Sequence, residues 1–373
     1  MLGLYIHIPF CIKKCYYCDF ASYEKSEHLM TSYVDALLKN LDMYANETFD
    51  TIFIGGGTPS YLDEGNLEKL LLGINSKIDI SRIKEFTIEC NPGTLTLDKF
   101  KIIKMYGVDR LSIGLQSVND DTLQVMGRSH NFKDFDENFN YACKLGFRNI
   151  NVDLIFGMPY EKLDKYKNTL DVISQYDLSH ISAYNLILEE NTKFYKMHLE
   201  GKFAELEEEL QLEMYNYTRY FLENVGYSQY EISNFAKGSN ECLHNLIYWN
   251  FEDYIGIGVG AHSFYKGSRF ENTKNINNYI DMFNNNKYKP INYHKNSNIE
   301  NIEEYIMLGF RKTKGIDLVD FERRFNKDIF VLFKDEIAKH MENGLLYYGN
   351  NRLFLTIRGM ILMNYVLKDF IFK

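Results

Sequence analysis

Three cysteines near the beginning of the chain, Cys11, Cys15 and Cys18, are separated by three and then two residues. A closed tetrahedral zinc or iron–sulfur site takes four protein ligands. A cube of four irons held by only three thiolates therefore keeps one iron open to a small molecule. Three thiols are enough to hold a [4Fe-4S] cluster of this kind. A partial zinc knuckle and three buried structural cysteines are the alternatives.

The other three cysteines, Cys90, Cys143 and Cys242, lie singly in ordinary segments, where a small buried hydrophobic side chain is the expected role. The N-terminal residues lack the charged and apolar regions of a secretory signal peptide. A cluster held by free thiolates also requires a reducing compartment. We therefore expect a cytoplasmic protein without disulfide bonds.

Length and charge narrow the function classes further. The chain has 373 residues, which suggests two or three domains at about 150 residues each. Its net charge is −9 and its basic residues form no concentrated block, so nucleic acid is not expected as the main partner. No apolar stretch approaches the about 20 residues that span a bilayer, so no transmembrane segment is predicted. Any membrane association would then be peripheral.

Short β-rich runs alternate with helical patterns through the first half of the chain. One such helical pattern covers Thr31–Tyr44, where apolar residues recur on one face. Six repeats of this alternation imply a parallel sheet with right-handed crossovers, either a partial barrel or an open doubly wound sheet. The six predicted strands are Gly3–Ile8, Thr51–Ile54, Glu85–Glu89, Arg110–Ile113, Asn149–Ile155 and His180–Asn185.

Unusual residues lie at the C-terminal ends of these strands. The cysteine loop follows the first strand, and the run Gly55–Pro59 follows the second. In parallel barrels the active site lies at this end of the strands, so we expect these positions to share one mouth. The further members of this set are Glu89, Gln116, Asp153, Ala183 and Tyr184.

The glycines after the second strand permit close approach of the backbone to a ligand. The run continues with Thr58 and Pro59, and it lacks the Gly-Lys-Ser or Gly-Lys-Thr ending of a phosphate loop. The sequence therefore favours a ligand other than a nucleotide phosphate. A tight turn without any ligand is the alternative.

The cysteine spacing, with Tyr5–Phe10 before it and Asp19 and Phe20 after it, resembles the radical S-adenosylmethionine (radical SAM) superfamily. The resemblance is to the branch that contains oxygen-independent coproporphyrinogen III oxidase and the HemW heme chaperones. It implies an α/β fold, a partial TIM-like barrel of six βα units, holding a [4Fe-4S] cluster and S-adenosylmethionine. Whether a radical is generated in function stays open.

The resemblance also implies roles for individual residues. Cys11, Cys15 and Cys18 would bind the cluster. Gly56, Gly57 and Thr58 would contact the amino-acid end of S-adenosylmethionine, and Tyr5 and Tyr17 would pack near the cluster and the adenosyl group. The positions that match the lining of the nucleotide and methionine sites are Glu89, Gln116, Arg128 and Asp153, with Ala183 in the sixth strand. For each polar residue alone, an ordinary capping hydrogen bond is the alternative.

Two departures from the oxidase favour the chaperone side of this branch. Phe20 stands where the oxidase has a further cysteine, and ten residues precede Cys11 where the oxidase has a sizeable N-terminal segment. In addition, His244, Asn245, Tyr248 and Trp249 fit the HNxxYW motif associated with the chaperones. The resemblance therefore implies a chaperone that passes heme to a membrane-bound respiratory acceptor. An oxidase-type radical SAM reaction on coproporphyrinogen is the alternative function.

His244 is the candidate axial ligand to heme, since a neutral imidazole binds heme iron. The rings of Tyr248 and Trp249 offer flat apolar surface to a porphyrin. In the alternative interpretation His244 caps a turn and Trp249 fills a core. His7 and His262 are further candidates, although a histidine beside a cluster or a Gly-rich turn is more often structural.

We predict three regions along the chain. Residues 1–225 form the barrel, residues 226–298 connect the domains and carry the HNxxYW motif, and residues 299–373 form a small, mainly helical, winged-helix-like domain. Within the connecting region we expect a polar linker at 275–298. In the C-terminal region we expect short helices, including one over Phe330–Asn343, and a strand at Leu353–Thr356.

Overall fold

A sheet of twelve strands carries the architecture in the computed structural model, which describes residues 1–372. Its six central strands are parallel and adjacent in chain order, and each of the six predicted strands is confirmed. They are β1 (Leu2–Ile8), β2 (Thr51–Gly56), β3 (Glu85–Cys90), β4 (Arg110–Gln116), β5 (Asn149–Phe156) and β6 (His180–Asn185).

These strands are apolar runs because both of their faces are covered. In β1 and β2, Leu4 lies opposite Ile52 and Ile6 opposite Ile54, and all four side chains are buried. Helices connect the parallel strands, as right-handed crossovers require. They are α1 (Met30–Asp42), α2 (Glu64–Lys77), α3 (Leu97–Met105), α4 (Asp120–Val125), α5 (Phe132–Lys144) and α6 (Leu163–Ile173).

The second half of the chain extends the sheet at both edges. On one side β8 (Asn234–Ala236) pairs antiparallel with β6, and β7 (Ser228–Gln229) pairs with β8. On the other side β9 (Asp253–Ile257) runs parallel to β1. The strands that follow β9 are β10 (His262–Tyr265), β11 (Ser268–Glu271) and β12 (Ile291–Lys295). The edge strands β12 and β7 do not pair with each other within residues 1–372, so the sheet is a partial barrel.

Four helices accompany these later strands: α7 (Lys193–Leu199), α8 (Glu208–Asn224), α9 (Leu243–Trp249) and α10 (Ile276–Asn284). The predicted linker at 275–298 is wrong, because this segment contains α10 and β12. Asn275 caps α10, which buries Ile276, Tyr279 and Phe283 against the barrel core. The linker was predicted from the many asparagines in this segment, and the apolar face of the helix was overlooked. The division at 225 and 298 stays a prediction, although the sheet crosses the first of these positions.

The C-terminal region has its own apolar core, which includes Ile306, Phe321 and Leu353. A three-stranded sheet accompanies its helices, consistent with the winged-helix-like prediction. The predicted helix over Phe330–Asn343 is two helices, broken at Phe333. The elements are α11 (Asn298–Gly309), β13 (Ile316–Asp317), α12 (Leu318–Phe325), α13 (Ile329–Leu332), α14 (Lys334–Glu342), β14 (Leu346–Gly349), β15 (Arg352–Leu355), α15 (Ile357–Ile361) and α16 (Met363–Leu367).

Short 3-10 turns occupy Glu27–Leu29, Pro59–Tyr61, Ile80–Arg82 and Lys368–Phe370. Among residues 1–372, no helix has both the length and the apolar character needed to cross a membrane.

Candidate functional site

A cavity of about 550 Å³ lies at the C-terminal ends of the parallel strands, and we call it the cysteine cavity. It brings together residues from the cysteine loop and from the ends of β2 to β6, as the strand positions predict. Of the predicted site residues, those that line it are Cys11, Cys15, Tyr17, Cys18, Gly56, Gly57, Thr58, Glu89, Gln116, Arg128 and Asp153.

The cysteine loop is held by its neighbours in the cavity. The Cys11 Sγ atom lies 3.5 Å from Thr58 Oγ1, and the Arg128 guanidinium donates to Cys15 Sγ at 3.4 Å. Burial raises the pKa of the Cys11 thiol and raises that of Cys18 to about 11. Because the thiolate is the metal ligand, a bound iron cluster would favour the ionised form that burial disfavours.

The three thiols fit a cluster better than a single ion. Within residues 1–372, no three histidine, cysteine or acidic side chains converge on one point that would hold a single metal ion. A four-iron cube has no such requirement, because each thiolate binds a different iron. The donor set is also soft sulfur, which suits iron–sulfur clusters.

Glycine is required where the second strand enters the cavity. Gly56 has a φ of +113°, and a Cβ atom there would lie 2.5 Å from the His7 ring. A Cβ atom on Gly57 would lie 2.9 Å from the carbonyl oxygen of Ile8, to which the Gly57 N–H donates at 2.8 Å. This part of the wall is therefore bare backbone because His7 and Ile8 leave no room for a side chain, and contact of these glycines with a ligand stays a prediction.

Two partly buried carboxylates face the cavity. Glu89 accepts a hydrogen bond from the Gly56 N–H at 3.0 Å, and Asp153 accepts one from Asn151 Nδ2 at 2.9 Å. Burial raises the pKa of Glu89 to about 8, with the charge of Asp153 as the next cause, and burial also raises the pKa of Asp153. A cationic ligand would relieve both effects. S-adenosylmethionine carries an ammonium and a sulfonium group, so the pair fits it.

Buried polar atoms without partners also indicate a ligand. Gln116 has a φ of +72°, a strained conformation, and its Oε1 atom has no hydrogen-bond partner among the described residues. The Arg128 Nε atom is likewise unpartnered, although its other nitrogens bond Tyr17, Asn91 and Gly114. Unpaired buried polar groups are costly, so a bound polar molecule or water is expected to complete them.

The Glu89 carboxyl gives a testable pH dependence of stability. The folded chain holds its proton up to about pH 8, whereas the unfolded chain releases it near the ordinary pKa of 4.5. Raising the pH across this interval therefore favours unfolding of the cluster-free protein. In Glu89→Gln we expect a thermal midpoint above that of the unmodified protein by a margin that grows from about pH 4.5 to about pH 8 and then levels off. A pKa that moves from 4.5 to about 8 corresponds to at most about 5 kcal/mol, so a margin on the order of 10 °C is the expected upper size.

Thermal unfolding of both proteins at several pH values measures this margin. The matched control is Glu213→Gln, at an exposed position of α8, which should show no such trend. A margin that stays constant with pH would contradict a buried, protonated Glu89.

A second cavity of about 770 Å³, which we call the aromatic cavity, adjoins the first. It lies beside β1, β9 and β10 and is bounded by α9. The two cavities share the wall formed by Lys14, Asp19, Phe20 and Ser22. Its aromatic lining consists of Tyr5, Phe20, Tyr23, Tyr248, Trp249, Phe251, Tyr254 and Phe264, and its charged or titratable lining includes Lys14, Glu252, His262, Arg269 and Lys274.

His262 is an exposed imidazole of the aromatic cavity with a carboxylate beside it. Its side chain is 62% exposed, and its Nε2 atom lies 3.1 Å from Glu271 Oε2, whose side chain is 10% exposed. The contact lacks hydrogen-bond geometry, so Glu271 Oε2 has no hydrogen-bond partner among the described residues. Many metal-ligating histidines have a carboxylate at their other ring nitrogen, and Glu271 lies beside Nε2 here.

The structure does not bring His244 to either cavity. The His244 ring is 1% exposed, with Nδ1 2.7 Å from Thr51 Oγ1 and Nε2 2.8 Å from the Tyr248 hydroxyl. Burial lowers its pKa to about 3. Both ring nitrogens of His244 therefore already have a hydroxyl partner. Of the predicted heme motif, only Tyr248 and Trp249 face a cavity.

Two other predicted residues also lie outside the cysteine cavity. Tyr5 lines the aromatic cavity instead, where its hydroxyl bonds His7 Nδ1 at 3.0 Å. Ala183 is buried in the barrel core, and its N–H donates to the Ser233 carbonyl at 2.8 Å. The next residue, Tyr184, lines the cysteine cavity.

Sequence reasoning missed Phe251, Tyr254, Phe264 and Arg269 in the aromatic cavity. Tyr254 and Phe264 flank the Gly-rich run, and they face each other across the antiparallel pair of β9 and β10. The available signal was aromatic residues on both sides of a glycine-rich turn, which is typical of a hairpin.

Comparisons with known proteins agree with this arrangement. The profile of the radical SAM superfamily matches residues 5–173, and that of the HemN C-terminal domain matches residues 296–362. A Bacillus subtilis protein described as heme chaperone HemW is 37% identical over 100% of this chain and 99% of its own length. A Lactococcus lactis protein of the same description is 34% identical over 98% of this chain and 96% of its own length.

The fold is also that of a solved enzyme. Escherichia coli coproporphyrinogen III oxidase (HemN), described as a radical SAM enzyme, superimposes with a TM-score of 0.86. The match covers 99% of this chain and 89% of the other at 22% identity, so it shows a shared fold.

Proposed function

We propose that this chain, which belongs to the HemW family of the radical SAM superfamily, is a heme chaperone that binds heme in the aromatic cavity and passes it to a respiratory-chain acceptor. The observation that carries the proposal is the aromatic cavity itself. It has about 770 Å³, adjoins the cysteine cavity, and has eight aromatic side chains among its 21 lining residues. Its volume falls within the about 300–1,000 Å³ of small-molecule and cofactor sites.

Three features of the cavity suit heme. Its rings offer flat apolar surface to a porphyrin. The cations Lys14, Arg269 and Lys274 at its edge suit carboxylate side groups, although Arg269 also pairs with Glu304 at 2.6 Å. His262 offers an imidazole for the iron, and we place the iron ligand there in preference to the enclosed His244.

The cysteine cavity would hold the [4Fe-4S] cluster and S-adenosylmethionine. Cys11, Cys15 and Cys18 would bind the cluster, and Glu89 and Asp153 would bind the cationic groups of the second cofactor. When bound, the two supply one-electron chemistry that amino-acid side chains lack. The chain's own residues hold and orient them, and Phe20 and Lys14 separate them from the aromatic cavity.

We also propose that the protein is cytoplasmic and contacts the membrane peripherally. There it would transfer heme to a membrane-bound acceptor. Phe20, at the shared wall, is 67% exposed, so a ligand in the aromatic cavity would lie near the surface. Such a position suits release to a second protein more than retention.

Hemin titration of the anaerobically reconstituted protein tests the proposal. We expect a shifted Soret band that saturates at one hemin per chain. Trp249, the only tryptophan, lines the cavity, so hemin should quench its fluorescence with the same midpoint. Binding without quenching would place the heme elsewhere.

A second expected result separates the proposal from an oxidase-type reaction. Under strict anaerobiosis with a low-potential reductant, coproporphyrinogen III should not be decarboxylated above the rate of a cluster-free control. The reason is Phe20, an apolar side chain at the shared wall where the oxidase branch has a cysteine. Product formation above that control would favour the enzymatic alternative.

A further inference from the structure

Five polar residues connect the cysteine cavity to α9, and all but the first of them are buried. We call them the buried relay: Asp153, Asn151, His180, Tyr230 and Cys242. The Asn151 amide donates to Asp153 Oδ1 at 2.9 Å, and His180 Nδ1 lies 2.6 Å from Asn151 Oδ1. His180 Nε2 lies 2.9 Å from the Tyr230 hydroxyl, which accepts the Cys242 N–H at 3.2 Å. Cys242 is the N-cap residue of α9.

The hydrogen bonds of the relay have one direction. Since Asn151 Oδ1 only accepts, His180 Nδ1 carries the proton. Burial lowers the pKa of His180 well below 6.5, so the ring is neutral and its Nε2 accepts from Tyr230. Tyr230, His180 and Asn151 therefore donate in succession toward Asp153. Bonds aligned in this way polarise one another, and a change at one end alters the strength of the others.

At its far end the relay reaches the wall of the aromatic cavity. Glu85, 3% exposed, accepts the N–H groups of Leu243 and His244 at 2.9 and 3.0 Å and so fixes the first turn of α9. The His244 ring bridges Thr51 and the Tyr248 hydroxyl. Buried polar contacts thus fix the first turn of the helix that presents Tyr248 and Trp249 to the aromatic cavity, and Ile247 packs the same helix into the core.

We propose that the buried relay makes binding in the aromatic cavity depend on what occupies the cysteine cavity, with Tyr230 as the positioning residue that joins the two. The heme part of this inference rests on the proposed function. Asp153 is the only relay member that lines the cysteine cavity. A cation bound at Asp153 would compete for the carboxylate oxygens that accept hydrogen bonds from Asn151 and Ser112, at 2.9 and 3.3 Å. The altered bonds reach the N-terminus of α9 through His180 and Tyr230.

The single tryptophan makes the coupling measurable without heme. S-adenosylmethionine is added to the reconstituted protein without reductant, and fluorescence is excited at the red edge, where tyrosine does not absorb. We expect the emission of Trp249 to change with the midpoint of S-adenosylmethionine binding, measured separately by equilibrium dialysis. We also expect the hemin dissociation constant to change about fivefold or more, the usual lower range of coupling between sites.

Tyr230→Phe tests the relay, because it removes one hydroxyl and two of the relay's bonds. Tyr227→Phe is the matched control, since Tyr227 is 2% exposed and its hydroxyl donates to the Leu178 carbonyl, outside the relay. Both variants should bind S-adenosylmethionine and hemin. Tyr230→Phe should lose the Trp249 response and the change in hemin affinity, and Tyr227→Phe should keep both.

The outcomes separate this inference from the proposed function. If hemin does not bind, the proposed function fails, and the Trp249 response in the two variants still decides the relay. An unmodified protein that binds S-adenosylmethionine without any Trp249 response would overturn the inference. Coupling that survives in Tyr230→Phe, or that is lost equally in Tyr227→Phe, would overturn it as well.

Discussion

Replacing Cys11, Cys15 or Cys18 with alanine should abolish the iron–sulfur cluster. With only two thiolates left, two irons of the cube would lack a protein ligand, and within residues 1–372 the one further thiol that lines the cavity is Cys90, the control described below. After anaerobic reconstitution we expect about four irons per chain in the unmodified protein and only background iron in each of the three variants. Iron and sulfide analysis together with the visible absorption spectrum measures this.

The most demanding control is Cys90→Ala. Cys90 lines the same cavity and is 4% exposed, so it offers a fourth thiol within the site. Burial raises its pKa, with the Glu89 charge as a second cause, and its Sγ atom lies 3.7 Å from the Ile88 carbonyl. We expect Cys90→Ala to keep the full cluster, as should Cys143→Ala and Cys242→Ala. Loss of iron in Cys90→Ala would show that the cube has four protein ligands and no open iron.

The barrel and the cysteine cavity were predictable because their signals are local. Each parallel strand is largely apolar, and most of the predicted residues that face the cavity follow or end a strand. Asp153, within β5, and Arg128, after α4, are exceptions. Gly56 and Gly57 also mark the end of a strand in the sequence, since a side chain at either position would collide with His7 or with the backbone of Ile8. For these residues, the position along the chain therefore predicted the position in the fold.

The aromatic cavity was not predictable in this way, because its residues come from distant segments. Tyr5, Tyr248 and Phe264 meet only after β9 pairs with β1 and α9 packs beside them. The motif around His244 drew attention to the imidazole, yet burial and two hydrogen bonds enclose that ring. What the motif places at the cavity is the pair of aromatic rings that follows.

Replacing His262 with alanine should cause the largest loss of heme affinity among substitutions in the aromatic cavity. The imidazole is the proposed iron ligand, and the Glu271 carboxylate lies 3.1 Å from its Nε2 atom. Loss of an outer partner of a metal ligand typically costs about 10–100-fold in affinity, so we expect Glu271→Gln in that range and His262→Ala beyond it. Trp249→Leu should cost about tenfold at most, since an aromatic pair contributes about 0.5–1.5 kcal/mol beyond its buried area.

His294→Ala is the matched control for His262→Ala. His294 is also exposed, at 57%, and also pairs with a glutamate, Glu300 at 2.8 Å, but it lies outside the cavity. It should leave the hemin dissociation constant and the Soret band unchanged. His262→Ala should also keep the cluster, because His262 does not line the cysteine cavity.

Free imidazole identifies the ligand directly. Added to His262→Ala, it should restore the position of the Soret band, because it can occupy the space that the side chain leaves. His244→Ala opens only an enclosed pocket between Thr51 and Tyr248, so we expect a smaller change in affinity there and no dependence on imidazole. If His244→Ala instead loses the Soret shift while His262→Ala retains it, the iron ligand is His244. In that event α9 must move when heme binds, because the His244 ring is enclosed in this structure and cannot reach the iron.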